Sequence, residues 1–491
     1  MMDLEARASS SNDILSDIDQ SAIRGLLKEG EKYIEFLNKA IDSLSVPDNN
    51  IHERRMEGLA RIERLRIAIA PHKKVPAEIW SEIFTYCVDR PLLYLPPLRT
   101  QPIWTVMAVC SRWRQIVLAE PRIWNNLRAD DKKDAKYMNE LLNEIFSNRG
   151  GNGMIRYWAP WITNISTWDD LTRLLSTYPS RVRHLGLEFR NFFPPTTPTT
   201  PINLEHLESI YFSYIWQDSY DKDAMPATDF FTSEALQNVA ISIKKTTSPA
   251  PWPSRISLPW AQLTDLSVGI VSVSMVRPVL MQCTQLVKLS IHLRGEPSCH
   301  DLSHPPLHLG HLQSLSFMVY SDYSESKYFI NVLYVPKLKI LSLGDQYWTE
   351  WPQMSLLSLI NRSNCPLERL TTSDLALEGA DVVQLLRATP HLIEFFGYTK
   401  GYIPDAILNT IRTEKLAPKL RVLDGLQVQS LKPFIELVQS RCSISRIGER
   451  HGIWATGVAI PENHPAIDEG YYKDALDGLK NFGIDIDVYR A

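Results

Sequence analysis

A six-residue pattern, apolar-x-x-apolar-x-apolar, recurs through more than half of the chain and constrains its fold more than any other feature. It reads Val182-Arg-His-Leu185-Gly-Leu187, Leu207-Glu-Ser-Ile210-Tyr-Phe212 and Leu236-Gln-Asn-Val239-Ala-Ile241. Then come Leu263-Thr-Asp-Leu266-Ser-Val268, Leu286-Val-Lys-Leu289-Ser-Ile291, Leu312-Gln-Ser-Leu315-Ser-Phe317 and Leu338-Lys-Ile-Leu341-Ser-Leu343. Weaker copies start at Leu367, Leu392, Leu420 and Ile444, and the eleven starts lie 23 to 29 residues apart. A unit this short cannot bury its own apolar face, so neighbours must stack and share one continuous core. The last apolar pair flanks a single residue, which is the alternation of a strand with one face inward. That places Gly186, Tyr211, Ala240, Ser267, Ser290, Ser316, Ser342, Thr371 and Phe396 in one outward column.

Pattern and period resemble those of leucine-rich repeats, which implies stacked strands with helical or irregular chain packed behind them. One family feature is absent: the asparagine or cysteine expected three residues after each strand is replaced by Arg190, Ile215, Val271, Arg294, Tyr320 and Gln346. Without that side-chain ladder the coil should be irregular, and the proline-rich stretches Pro194–Pro198 and Pro249–Pro253 read as loops on it. Aromatic residues within or just past the strands are candidate substrate-binding anchors on the concave rim: Tyr211, Tyr214, Trp216, Tyr320, Tyr323, Tyr347, Trp348, Trp351 and Tyr398, with Phe396 beside them. The same residues can instead pack between turns, as aromatics often do.

Upstream, Ile23, Leu27, Ile34, Leu37, Ile41 and Leu44 recur at helical steps, and so do Leu59, Ile62, Leu65 and Ile69. Val46-Pro-Asp-Asn-Asn50 breaks the first helix and Pro71 stops the second. The pair reads as a hairpin over 12–71, packed on the next domain or serving as a short coiled coil for dimerisation. Residues 1–11, small and polar, are expected to be disordered.

Three spaced anchors follow. Val75-Pro76-x-Glu78-Ile79-x-x-x-Ile83-Phe84 opens a helix with proline and glutamate in its first turn, Val109-Cys110-x-x-Trp113 lies in a second helical stretch, and Pro121-x-x-Trp124 closes the segment. Residues 72–128 thereby resemble the F-box, in the F-box-like form common in mushroom-forming fungi. Two departures are a valine at 75 in place of leucine and an insertion from about Arg90 to Pro102. The resemblance implies that Val75, Pro76, Ile79, Ile83, Val109, Cys110 and Trp113 bind a Skp-type adaptor and, through it, a cullin. It makes Trp113 the expected hot spot, although Trp113 and Trp124 can also be core.

The whole chain is thus expected to be an α+β repeat protein. Its parts are the hairpin, a three-helix F-box, a helical linker and N-terminal cap over 129–180, an irregular leucine-rich-repeat solenoid over 181–448, and a C-terminal cap over 449–491. In the cap, Asp468 to Phe482 reads as a helix and Ile484 to Val488 as a strand. The implied function is substrate recognition within an SCF-type (cullin-RING) ubiquitin ligase, the alternative being a non-catalytic scaffold outside one.

Formal net charge is −4, so no global basic field marks a nucleic-acid binder. No run of apolar residues is long enough to span a membrane. No secretory pattern is seen, and six cysteines without a C-x-x-C pair suit a reducing compartment, so a cytoplasmic or nuclear location is expected. Cys299, His300, His304, His308 and His311 are the one metal-like cluster, but Pro305-Pro306 breaks the helix their spacing would need. No catalytic motif is found, and the expectation is no catalytic residue, no metal and no cofactor.

Overall fold

The computed structural model describes residues 15–43, 48–87, 93–95, 98, 100–129, 135–149, 153–190, 201–215, 231–244, 258–294, 306–319, 323–345, 353–399, 401–441, 443–444, 450–451, 455–461, 471–481 and 484–490. They form a mixed helix and strand protein with a helical N-terminal region and a long parallel sheet. The chain divides into two compact units, Met1–Tyr157 and Trp158–Ala491.

In the first unit, α1 (Asp17–Ser43) and α2 (Asn49–Ala68) pair as the apolar periodicity predicts. Ile23, Leu27, Ile34 and Leu37 close against Ile62, Leu65 and Ala68. Asp48 starts α2 by accepting the Asn50 amide at 2.9 Å, satisfying one of the donors a helix start leaves open. Next come α3 (Ala77–Cys87), α4 (Pro102–Val109), α5 (Ser111–Ala119) and the short α6 (Pro121–Trp124).

The insertion between the first two anchors is not all loop. Leu93–Leu95 forms strand β1, parallel to β2 (Asn126–Ala129), with Leu93 opposite Leu127 and both buried. Burying this Leu-Tyr-Leu alternation gives the insertion a place in the core. Within it, residues 90–92, 96–97 and 99 lie outside the described residues.

The stretch 129–180 holds more order than a helical linker. It contains α7 (Ala135–Glu144), a π turn at Ile145–Arg149, strand β3 (Ile155–Ile162) and α8 (Ile165–Thr177). Asn164 caps α8 by accepting the Thr167 amide at 3.0 Å.

The second unit is built on strands β4 (Val182–Arg190), β5 (Ser209–Ile215), β6 (Asn238–Lys244), β7 (Asp265–Val271), β8 (Lys288–Leu293), β9 (Ser314–Val319), β10 (Ile340–Asp345), β11 (Arg369–Leu377), β12 (Glu394–Thr399), β13 (Val422–Gln427), β14 (Ala455–Ile460) and β15 (Asp485–Arg490). Neighbours in the sheet are neighbours in the chain, and every pair is parallel. The register sets Gly186, Tyr211, Ala240, Ser267, Ser290, Ser316, Ser342, Thr371 and Phe396 side by side, each opposite the next. This is the column that the sequence pattern predicts. Asp424, Gly457 and Asp487 extend it. On the other face, Leu185, Ile210, Val239, Leu266, Leu289, Leu315, Leu341, Leu370, Phe395 and Leu423 are all buried. Behind the later strands pack α9 (Val273–Leu280), α10 (Tyr323–Val332), α11 (Gln353–Ser363), α12 (Gly379–Ala388), α13 (Asp405–Thr413), α14 (Leu431–Arg441) and α15 (Tyr471–Asn481).

Without the asparagine or cysteine ladder, the strand starts are still ordered. Regularity comes from the main chain at the start of each strand. Two successive amides of one unit donate to a single carbonyl of the unit before it: Gln237 and Asn238 to Glu208, Thr264 and Asp265 to Gln237, Val287 and Lys288 to Thr264, and so on to Arg421 and Val422 on Ile393, all between 2.7 and 3.1 Å. Irregularity shows at β7, where Ile270 takes φ +38° and the register with β8 shifts past Ile291. This is the strain of a β-bulge carrying a side chain in a left-handed conformation.

Two corrections concern the C-terminal end. The weak copy at Ile444 does not enter the sheet, because Ser443–Ile444 pairs antiparallel with Arg450–His451. The next sheet strand is β14, and residues 449–491 extend the sheet through β14 and β15 as well as ending it.

Candidate functional site

Two surfaces carry the candidate residues. In the first unit, α3, α4 and α5 pack around Phe84, which is fully buried. Its ring centroid lies 5.4 Å from that of Trp80 and 4.9 Å from that of Trp113, and the two tryptophans are 4.6 Å apart. Arg112 ties α5 to the segment before α3, donating to the carbonyl oxygens of Lys73 at 2.6 Å and Val75 at 2.8 Å. Cys110 caps α5, its sulfur accepting the Trp113 amide at 3.4 Å. Trp124 is buried and donates to the Val117 carbonyl at 2.8 Å, so it is core.

Glu120 links the end of the bundle to α3. Its carboxylate accepts from Arg122 at 2.8 Å and from Ser81, and Arg122 also reaches Glu82 at 2.8 Å. Hydrogen bonding from the Arg122 guanidinium, outweighing burial, pulls the Glu120 carboxyl down to about 2.

With these contacts made, several apolar side chains remain in water: Ile79 at 52%, Ile83 at 40%, Tyr86 at 74% and Val109 at 57% exposure. Ile79, Ile83 and Tyr86 sit at i, i+4 and i+7, on one face of α3. Of the residues the resemblance assigns to an adaptor, Pro76, Ile79, Ile83 and Val109 are thus exposed, while Val75 and Cys110 are half-buried. Trp113 also serves the helical unit itself. Its half-buried ring is held between Trp80 and Phe84, so it joins α5 to α3. Tyr86 was not singled out from the sequence, although the helical step from Ile83 points to it.

In the second unit, the outward sheet face bears a shallow groove of about 370 Å³ over β5 to β9. Ala240, Ser267, Ser290 and Ser316 form its floor, and Asn238, Ser314 and the ion pair Asp265–Lys288 (3.3 Å) flank it. At one end stands Tyr211, half-buried, with Trp158 of β3 at 4.6 Å between ring centroids. Trp158 donates to the Glu188 carboxylate at 3.0 Å and lies flat over Gly186, where an added Cβ would come within 2.5 Å of the indole. Gly186 opens the column because Trp158 supplies its side chain from another strand. Nothing local in the sequence marks that pairing. On the same face Arg369 and Glu394 (2.5 Å) neutralise each other between strands, as Lys339 and Glu368 (2.9 Å) do just before the strands begin.

Tyr214 corrects the list of candidate anchors. One step of strand parity puts it inward with Phe212, where it is buried and stacks on Phe189 at 5.0 Å. Burial pushes its phenol well above the usual range. Trp216, Tyr320, Tyr347, Trp348 and Trp351 lie outside the described residues, as do the side chains of Tyr323 and Tyr398. So do Cys299, His300 and His304, while His308 packs on Tyr334 (4.9 Å) and His311 approaches Lys337 (3.4 Å). Among the described residues no helix is long and apolar enough to cross a membrane, and no three His, Cys, Asp or Glu side chains cluster as metal ligands. No protein-family model matches the chain, and no curated protein matches it.

Proposed function

We propose that the chain is a substrate-recognition subunit of an SCF-type ubiquitin ligase, working in the cytoplasm or nucleus. In this reading residues 72–128 are an F-box-like domain that docks on a Skp-type adaptor and through it a cullin. The strand stack is an irregular leucine-rich-repeat solenoid whose outward face holds a protein substrate. The observation that carries the reading is the exposure of Ile79, Ile83 and Val109 on a helical unit whose own aromatic rings, Trp80, Phe84 and Trp113, already pack on one another. Aliphatic side chains left in water at the positions that resemble adaptor contacts supply the apolar patch such docking needs. The register-matched column of small residues between Tyr211 and Phe396 supports the second half, since it leaves room on the sheet face for a ligand. Acceleration would come from holding substrate near the charged enzyme rather than from any residue of this chain.

Affinity capture of the full chain tests this, comparing the wild type with Ile79→Asp/Val109→Asp. The expected result is a Skp-type adaptor and a cullin retained by the wild type and lost by a double variant of unchanged circular dichroism. A folded wild type that retains neither refutes the reading. Adaptor without cullin would favour a scaffold outside the ligase.

A further inference from the structure

We infer that the α1–α2 hairpin is a self-association surface whose occupant is the hairpin of a second copy of this chain. The two helices run antiparallel. Gly30 faces Ile62, Gly58 faces Ile34, Glu31 pairs with Arg66 at 2.9 Å, and Asn38 accepts from Arg55 at 2.7 Å, so positions rising in α1 meet positions falling in α2. Two helices can seal only the seam between them. On one side they leave an open groove of about 800 Å³, lined among others by Leu26, Gly30, Tyr33, Gly58 and Ala60. The glycines keep the floor low: a Cβ at Gly58 would meet Ile34 at 2.7 Å. Tyr33 stands at the groove's edge in water at 45% exposure, and one turn on along α1 Phe36 is 66% exposed.

The charges on the rim select the occupant. Glu29, Arg54, Glu57 and Arg64 all line the groove, and none forms an ion pair or side-chain hydrogen bond among the described residues. Arg54, Glu57, Arg61 and Arg64 recur at helical steps, so they share one face of α2. A helix from an unrelated acidic or basic partner would find half of this rim repulsive. A two-fold axis makes the surface meet itself, which requires both signs on one patch. Arg54 and Arg64 of one copy then answer Glu29 and Glu57 of the other. The helices are complementary as wholes too: α1 carries six acidic and four basic residues, α2 three and five. Crossing α1 of one copy over α2 of its partner gives a four-helix bundle with the apolar groove inside.

Light scattering on the full-length protein tests the inference. The wild type is expected at twice the 56.2 kDa of the chain. Glu29→Arg/Glu57→Arg and Arg54→Glu/Arg64→Glu are each expected at the chain mass, because positions 29, 54, 57 and 64, which would pair across the two-fold, then all carry one sign. Mixing the two variants should restore the doubled mass as a heterodimer. If a charge-reversed chain loses helicity by circular dichroism, Ala60→Glu, at an exposed position in the groove, takes its place with the same expectation of a single-chain mass. A wild type at the chain mass throughout the micromolar range overturns the inference, and so do folded variants that stay dimeric.

Discussion

Replacing Trp113 by alanine and Ile79 by aspartate should separate two roles that the sequence alone merges. Trp113 is half-buried with its ring within 5 Å of both Trp80 and Phe84. Truncating a buried tryptophan costs about 3–5 kcal/mol, and each aromatic pair about 0.5–1.5 kcal/mol beyond its area. Discounting for the exposed half, Trp113→Ala should destabilise the first unit by about 2–4 kcal/mol. Ile79 is 52% exposed, so Ile79→Asp should change stability by less than about 0.5 kcal/mol. Its effect should appear in adaptor binding. Burying an isoleucine contributes about 1.5–3 kcal/mol, and seating an unpaired carboxylate there costs more, so affinity should fall roughly 100-fold or further. Two units need not unfold together, so hydrogen exchange of peptides from α3 and α5 is the stability assay, beside calorimetric titration with adaptor. Unchanged exchange with lost binding in Trp113→Ala would refute its place in the core. Faster exchange in Ile79→Asp would refute the exposure argument.

Two further outcomes follow from single contacts. Gly425 sits at φ +84°, and a Cβ there would lie 2.6 Å from the Gly397 carbonyl oxygen on the adjoining strand; Gly425→Ala should therefore cost about 2–5 kcal/mol from left-handed strain and overpacking, read as a lower denaturation midpoint of the second unit. Glu120 has its carboxyl lowered from 4.5 to about 2 in the folded protein, so its contribution is complete above pH 4.5 and is lost as pH falls towards 2. Because Arg122 is half exposed, screening limits the contribution to about 1–2 kcal/mol; Glu120→Gln should remove that much at neutral pH and flatten the acid limb of a stability profile, and an unchanged limb would count against the Arg122 contact.

The strand stack was legible because strand alternation has a period of two and the repeat restores its phase every 23 to 29 residues. Given those two facts, Leu266, Leu289 and Leu315 had to face one way, and Ser267, Ser290 and Ser316 the other. Helical steps likewise revealed the seam of α1 and α2. What stayed hidden depends on residues far apart in the chain. Leu93–Leu95 is an unremarkable tripeptide until Asn126–Ala129 supplies its partner. Gly186 reads as a small residue in a column until Trp158 covers it. Tyr214 is turned inward by the legible period of two, but that it stacks on Phe189 of the neighbouring strand shows only in the fold. Trp113 carries the same helical pattern whether its ring meets an adaptor or Trp80 and Phe84. Local periodicity decides which face of an element is apolar. Only the packing of distant elements decides what covers that face, because such contacts arise from chain reversal and shape rather than from spacing along the sequence.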